Sequence, residues 1–331
     1  MKGKITFLMI LLLAFSIFAD GRREYPCYLL EEDSPILDGK IEEDVWNSIP
    51  EATGFYILGG EKFALEKQTY FAIGWRKDAI YIAIKCEEKD ISRISAKLKD
   101  GEDLYREDSI EIFLFPENAS SYLHFAVNPL GSRWNQIDAS GQPGTPWDWQ
   151  AKAFIGKDFW SAEIRIPFTV LGRQPKEGEQ WLFNIGRNIF TGPASEHFTC
   201  WPPLKSGFHE LQNFALLTFK EKSPSKQEKE EVEHNLNLQF RKFLQGIVGE
   251  LGEELGKNSS EYKSAIAYGL SKEKLKDEAS YLKEAWDRLD QLLKEKEPSL
   301  FAIRQFLISY PDLRSRFKEF HYKVLMEKLF D

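Results

Sequence analysis

The stretch Asp108-Ser-Ile-Glu-Ile-Phe-Leu-Phe115 alternates residue by residue. In an extended strand it places Ile110, Ile112 and Leu114 on one face and Ser109, Glu111 and Phe113 on the other. Outward from it the same period recurs. Residues 68–76 (QTYFAIGWR) and 79–87 (AIYIAIKCE) alternate, with Lys77-Asp78 between them to turn a hairpin, and 122–128 (YLHFAVN) repeats the pattern. Further strands are expected near 131–137, 150–156, 159–166, 181–190 and 213–220, and a short helix over 42–48 with Trp46 turned inward. About ten short strands punctuated by Gly, Pro and Asn predict an antiparallel β-sandwich rather than a βαβ fold.

The polar stretch 221–228 (EKSPSKQE) divides the 331 residues, a length suited to two domains. Eight of the nine Trp lie before it, and charged helix formers dominate after it. Residues 20–220 carry 22 basic and 31 acidic side chains, whereas 221–331 carry 20 and 21. In the second part Val232, Leu236, Phe240, Leu244, Ile247, Leu251 and Leu255 recur at spacings of three and four. Leu275, Ala279, Leu282, Trp286, Leu289 and Leu293 do the same. Pro298 and Pro311 stand where new helices can begin. The organisation expected is a sandwich over 35–220, a linker at 221–228 and an antiparallel helical bundle over 229–331. The bundle is suited to a protein partner or to self-association.

At the N-terminus Lys2 and Lys4 precede an apolar run from Ile5 to Phe18, followed by small residues. This is the pattern of a secretory signal peptide over 1–19, which would leave a spacer at 20–34 and place the protein outside the cytoplasm, secreted or periplasmic. The run is too short for a permanent membrane span, and no second one follows. A net charge of −8 disfavours nucleic acid as a partner. No Gly-rich phosphate loop appears, so no nucleotide cofactor is expected. Cys27, Cys86 and Cys200 cannot all pair within one chain, and they show no metal-ligand spacing. A signal-cleaved chain keeps Met326 as its single methionine, far from His124, His197 and His209 of the sandwich. This excludes a Met/His haem site there.

Asp103, Glu107, Asp108, Glu111, Asp138 and Asp148 are carboxylates from which a glycosidase could draw its facing pair, if two of them oppose one another. The loop at 140–149 (SGQPGTPWDW) is rich in Gly and Pro and offers Trp147 and Trp149 as surface aromatics for a ligand.

Taken in order, several segments resemble the family 9 carbohydrate-binding modules, a DOMON-like β-sandwich. Pro35-Ile-Leu-Asp-Gly-Lys-Ile-Glu-Glu-Asp-Val-Trp46 looks like the opening motif. Trp75-Arg-Lys-Asp-Ala-Ile-Tyr-Ile-Ala-Ile84 looks like the hairpin, and Tyr105-Arg-Glu-Asp-Ser-Ile-Glu-Ile-Phe113 the central motif. Trp160-Ser-Ala-Glu-Ile-Arg-Ile-Pro167, Trp181-Leu-Phe-Asn-Ile-Gly-Arg187 and Phe208-His-Glu-Leu-Gln-Asn-Phe214 follow. The resemblance covers about 35–220 and leaves the helical tail outside. It implies structural Ca²⁺ and a site that clamps a glycan chain end between two aromatic rings, here Tyr105 and Phe208. A carboxylate for sugar hydroxyls then falls at Glu111. Asn128, Arg187 and Asn188 lie on or beside matching strands as further candidates. Two polar anchors of the family are replaced: an Arg position falls at Ala126, and an Asn position falls near Lys205.

The residues themselves support the same chemistry. Aromatic planes bury the C–H face of a sugar, while carboxylates and amides bind its hydroxyl rim. The expected function is an extracytoplasmic carbohydrate-binding protein recognising oligo- or polysaccharide ends in polysaccharide catabolism. A glycoside hydrolase, or a module associated with one, and a non-binding assembly scaffold are the alternatives.

Overall fold

A computed structural model describes residues 21–31, 35–138 and 148–330; the signal-peptide reading of 1–19 and Trp147 lie outside the described residues. The elements run β1 (Glu24–Leu29), α1 (Asp44–Ser48), β2 (Tyr56–Ile57), β3 (Thr69–Trp75), β4 (Ala79–Glu87), β5 (Ser109–Phe115) and β6 (Leu123–Val127). They continue with β7 (Arg133–Ile137), β8 (Gln150–Ile155), β9 (Phe159–Pro167), α2 (Phe168–Leu171), β10 (Gln180–Asn188), β11 (Phe198–Cys200) and β12 (Ala215–Lys220). Six helices follow: α3 (Lys226–Leu236), α4 (Leu238–Lys257), α5 (Ser259–Leu270), α6 (Lys276–Lys294), α7 (Leu300–Ser309) and α8 (Leu313–Phe330).

The strands pair in the order β7-β6-β5-β10-β12-β1-β3-β4-β9-β8, with β11 bonded to β10 and β2. This sheet folds over one core as a sandwich. Ile110, Ile112 and Leu114 of β5 and Phe183 and Ile185 of β10 meet Ile80, Ile82 and Ile84 of β4 in a single apolar cluster. The antiparallel expectation holds except at β1, which is parallel to both β12 and β3, so the sheet is mixed. The stretch 20–34, read as a spacer, therefore contains a central strand whose Tyr25 and Cys27 are fully buried. Pro26 obscures it, because a residue without an N–H argues against an interior strand.

The outer face of β3 and β4 is closed by α1, whose Val45 and Trp46 join Ile49 against Ala72, Tyr81 and Ala83. Gly39 of the preceding Asp-Gly turn has φ +90°, and a Cβ there would stand 2.4 Å from the Ala153 carbonyl carbon. Only glycine fits both demands.

α3 begins at Lys226, inside the stretch read as a linker. The bundle is docked on the sandwich. Phe63 packs 5.1 Å from Phe240 between ring centres. Arg304, 3% exposed, donates to Tyr70 Oη and Glu87 Oε1 at 2.8 Å each and to the Leu65 carbonyl at 2.8 Å. Arg23 donates to the Gly54 carbonyl at 2.8 Å and the Leu236 carbonyl at 3.0 Å. In α4 and α6 the inward residues are Val248 and Leu292 rather than Ile247 and Leu293. Each is one of two adjacent apolar residues, so periodicity alone leaves the phase open by one position. α7 starts after Pro298 with the Ser299 hydroxyl accepting from Ala302 N at 3.1 Å, and α8 follows Pro311. No helix among the described residues is long and apolar enough to cross a membrane.

Candidate functional site

Residues directly opposite one another in antiparallel strands share a face. Glu111 stands opposite Ala126 and Gly186, and Phe113 opposite His124 and Asn184. Across the next ladder Ala126 faces Trp134 and His124 faces Gln136. The outer face of β10, β5, β6 and β7 thus presents a carboxylate, two aromatic rings, an imidazole and amides side by side.

Three connections raise walls around this face. The 3-10 turn at Leu104–Arg106 brings in Tyr105, β11 brings Phe198, and the segment after it brings Phe208 and His209. With Leu58, Trp134, Gln136, Asn188 and Gly207 they enclose a cavity of about 510 Å³ whose floor is Glu111 and His124. The rings stand in two near-perpendicular pairs. Tyr105 and Trp134 have centres 5.6 Å apart at 74°, and Phe198 and Phe208 have centres 6.1 Å apart at 86°. Tyr105 is 36% exposed and Phe208 only 8%.

Phe208 is held from below and from its own loop. A Cβ on Gly186 would meet the Phe208 ring at 2.7 Å, so this glycine makes the room the wall occupies. Asn184 Nδ2 donates to the Phe208 carbonyl at 3.1 Å. Glu210 accepts from Lys205 N at 2.6 Å, Ser206 N at 3.1 Å and Asn213 Nδ2 at 2.6 Å, and so ties the loop into one shape. Lys205 takes part through its backbone.

Glu111 is 4% exposed. Its Oε1 accepts from Asn188 Nδ2 at 2.7 Å, and its Oε2 lies 2.6 Å from His124 Nε2, off the line of an ideal hydrogen bond. Burial pushes the carboxyl up, but His124 and Asn188 outweigh it and hold the group below the usual carboxylate range. The His124 ring stacks on Phe113 at 4.0 Å and 18°, and its Nδ1 lies 3.3 Å from Gln136 Nε2. His209 has one edge in solvent, with Nδ1 2.6 Å from Tyr122 Oη. Its pKa is lowered by burial and by the neighbouring His124, ring centres 5.2 Å apart.

Of the eight residues expected at the site, Tyr105, Phe208, Glu111 and Asn188 converge on this cavity. Asn128 does not. Its side chain bonds Glu107, the Leu98 carbonyl, and Leu130 N and Ser132 N, and so builds the β6–β7 turn. Arg187 points to the opposite side of β10. Fully buried, it donates to the Lys67 and Glu87 carbonyls at 2.7 and 2.8 Å. Trp149 is also fully buried, within the main core, with Nε1 on Asn135 Oδ1 at 2.9 Å. It is packing rather than a surface aromatic, because its indole lies in the main core against Phe125, ring centres 5.2 Å apart. His124, Trp134, Phe198 and His209 are the residues sequence reasoning missed. For His124 and Trp134 a signal existed in the alternation of β6 and β7 once their register against Glu111 is known.

A second acidic cluster lies under α1. Carboxylate oxygens of Asp38, Glu43 and Glu163 all lie within 4.8 Å of one another. Glu163 accepts from Gly39 N at 2.9 Å, Asp38 N at 3.0 Å and Trp46 Nε1 at 2.8 Å. Burial, with the charge of Glu43 adding, raises it to about 7. Glu43 Oε2 is buried without a hydrogen-bond partner. An all-oxygen set with an orphaned acceptor fits a hard cation. The three cysteines are free and buried; burial pushes the thiols of Cys86 and Cys200 up to about 12.

A profile of carbohydrate family 9 binding domain-like proteins matches residues 36–202. The chain belongs to this family. The family 9 match takes in Tyr105, Glu111 and Trp134 and ends short of Phe208 and the helices. Three solved structures are similar to part of this chain. One is a protein from Bacteroides uniformis ATCC 8492 proposed to bind carbohydrate, at 16% identity and TM-score 0.49, covering 60% of this chain and 99% of that one. The other two are of a family 9 module from Caldicellulosiruptor kristjanssonii, each at 20% identity. With glucose it gives a TM-score of 0.45, covering 61% of this chain and 98% of that one. With cellotriose it gives 0.44, covering 61% and 97%. No curated protein matches the chain.

Proposed function

We propose that this family 9 chain binds carbohydrate in the cavity between Tyr105 and Phe208 and recognises glycan ends. The observation that carries this reading is the meeting of two aromatic ring pairs over a buried carboxylate–amide floor. Such walls bury the apolar face of a sugar while Glu111 and its neighbours meet the hydroxyls. A cavity of about 510 Å³ suits the end of a glycan better than a long stretch of one. Among the described residues lining it, Glu111 is the one carboxylate, and its pKa is moved away from that of a general acid. Both points favour binding over hydrolysis. The reading of 1–19 as a signal peptide supports a place outside the cytoplasm, in polysaccharide catabolism. Calcium at Asp38, Glu43 and Glu163 is part of the proposal, as a structural ion that neutralises buried charge.

Calorimetry on the full chain with a panel of oligosaccharides tests it. Tyr105→Ala and Phe208→Ala are each expected to weaken binding by about 1.5–3 kcal/mol, with Phe208→Ala also lowering stability because its ring is buried. Trp149→Phe should lower stability and leave affinity unchanged. Native affinity in both ring variants, with the fold intact, would sink the proposal.

A further inference from the structure

The family match ends at residue 202, before the helices, yet the helices reach the cavity through one short hairpin. Residues 54–64 fold back on themselves. Ile57 N donates to the Lys62 carbonyl at 2.8 Å, and Ala64 N to the Phe55 carbonyl at 2.9 Å. On one side this hairpin belongs to the bundle. Its Tyr56 and Phe63 are buried in the apolar core of the helices, not in that of the sandwich. The two rings stack with centres 3.9 Å apart, and Phe63 lies 5.1 Å from Phe240 and 5.2 Å from Phe243 of α4. Tyr56 Oη donates to Gln239 Oε1 at 3.1 Å. Gly54 takes φ +76°, and a Cβ there would stand 2.7 Å from Phe240 Cβ, so α4 rests directly on the hairpin backbone.

On its other side the same hairpin builds the ligand wall. Tyr56 and Ile57 pair with Cys200 and Thr199 of β11. Leu58 N donates to the Phe198 carbonyl at 2.8 Å, and Gly59 N to the Leu204 carbonyl at 3.0 Å. Leu58 and Phe198 line the cavity, and Leu58 packs with Leu204 and Phe208 in a small apolar cluster. Arg23 adds a second tie, donating to the Trp201 carbonyl just past β11 at 2.7 Å and to the Leu236 carbonyl at the end of α3 at 3.0 Å. A ladder of two residue pairs does not hold its own shape in water. The packing on α4 supplies what the ladder lacks.

We infer that the helical bundle is a positioning element of the ligand site. Gln239, Phe240 and Phe243 hold the Tyr56–Phe63 hairpin, and the hairpin holds the Leu58–Phe198 wall in the geometry that receives the ligand. This rests on the carbohydrate-binding reading above and deepens it by giving the helical tail a part in recognition. The α4 residues touch no ligand. They spare the wall the cost of being ordered when a ligand arrives.

The test is calorimetry on the full chain with cellotriose, β-1,4-xylotriose and the β-1,4 N-acetylglucosamine trimer, joined to amide hydrogen exchange. Phe243→Ala should weaken the tightest of the three by about three- to tenfold, the cost of ordering one or two loosened side chains. It should also speed exchange of the Leu58 amide while leaving the amides of β5 unchanged. Phe243→Leu should restore most of both. Trp286→Ala removes a half-buried ring from the far part of the bundle, 5.5 Å from Phe317 between centres. It should lower stability at least as much and leave affinity and Leu58 exchange at native values. Native affinity in folded Phe243→Ala overturns the inference while carbohydrate binding stands. An equal loss of affinity in Trp286→Ala overturns it too, because the effect is then one of general stability. Failure of the native chain to bind any of the three overturns both readings. Gln239→Ala, at an exposed position, decides the matter if Phe243→Ala does not fold. It should speed Leu58 exchange and weaken binding about twofold, and native values for both overturn the inference.

Discussion

Two glutamates of this sandwich sit in the same local sequence, Ser-x-Glu-Ile: Ser109-Ile-Glu111-Ile on β5 and Ser161-Ala-Glu163-Ile on β9. Both are buried on outer faces of the sheet, at 4% and 0% exposure, and their carboxyls are driven in opposite directions. Glu163 lies under the Asp-Gly turn and α1, accepts from two backbone N–H groups and an indole, and has two further carboxylates beside it. Glu111 has a histidine and an amide beside it and a cavity above. One staples the N-terminal segment onto the sheet; the other is the floor of the cavity proposed to take the ligand. A strand glutamate takes its role from what the rest of the chain lays over it.

The largest expected effect comes from removing the staple. Glu163→Ala leaves the buried donors Gly39 N and Trp46 Nε1, and the half-buried Asp38 N, without their acceptor, and should lower stability by about 3–5 kcal/mol in urea unfolding. Glu111→Gln keeps an acceptor for Asn188 and should cost no more than about 1–1.5 kcal/mol of stability while impairing binding. A larger stability loss at Glu111 than at Glu163 would break the contrast.

The opposite pKa shifts predict opposite slopes with pH. In chelator, folded Glu163 titrates at about 7, above its unfolded value, so the folded state holds an extra proton in between. Stability should therefore fall as pH rises from about 4.5 to 7. The folded pKa of Glu111 lies below its unfolded value. Its contribution is present above about pH 4.3 and is lost as pH falls through the lower folded value. The melting temperature in chelator should thus peak between the two windows. Calcium should flatten the upper slope, since a bound cation replaces the proton at Glu163. A flat profile between about pH 5 and 8 in chelator would remove the distinction.

The smallest effects concern the two indoles. Trp46→Phe removes the hydrogen bond to Glu163 and should cost no more than about 1 kcal/mol of stability without touching affinity. Trp134→Phe keeps an aromatic wall at a partly exposed position and should change stability by less than about 0.5 kcal/mol, with a few-fold loss of affinity. A swap of these two readouts would place the ligand over α1 instead.

Alternation located β3 to β10 and β12, and it placed Glu111 and Phe113 together on the face opposite Ile110 and Ile112, because side-chain direction in a strand is a local property of period two. The helical stripes of α4 and α6 and the starts of α7 and α8 after proline were legible for the same reason. Tyr105, Glu111 and Phe208 emerged from ordered motifs. Arg187 was misplaced because the motif does not say which side of a strand meets the ligand, and Asn128 because it lies just past the end of β6, where its side chain builds the turn.

By itself, then, the sequence determined most of the strands, their two faces and the helical character of the tail, since dihedral preference and period are set by near neighbours. Only the tertiary structure decided that Pro26 sits in a central parallel strand, that Trp149 fills the core and that Arg304 bolts the bundle to Glu87. It also decided that His124, Trp134 and His209 join Glu111 in one cavity. These outcomes depend on which distant segment covers which face. That choice is made by burial summed over the whole chain, and no local window contains it.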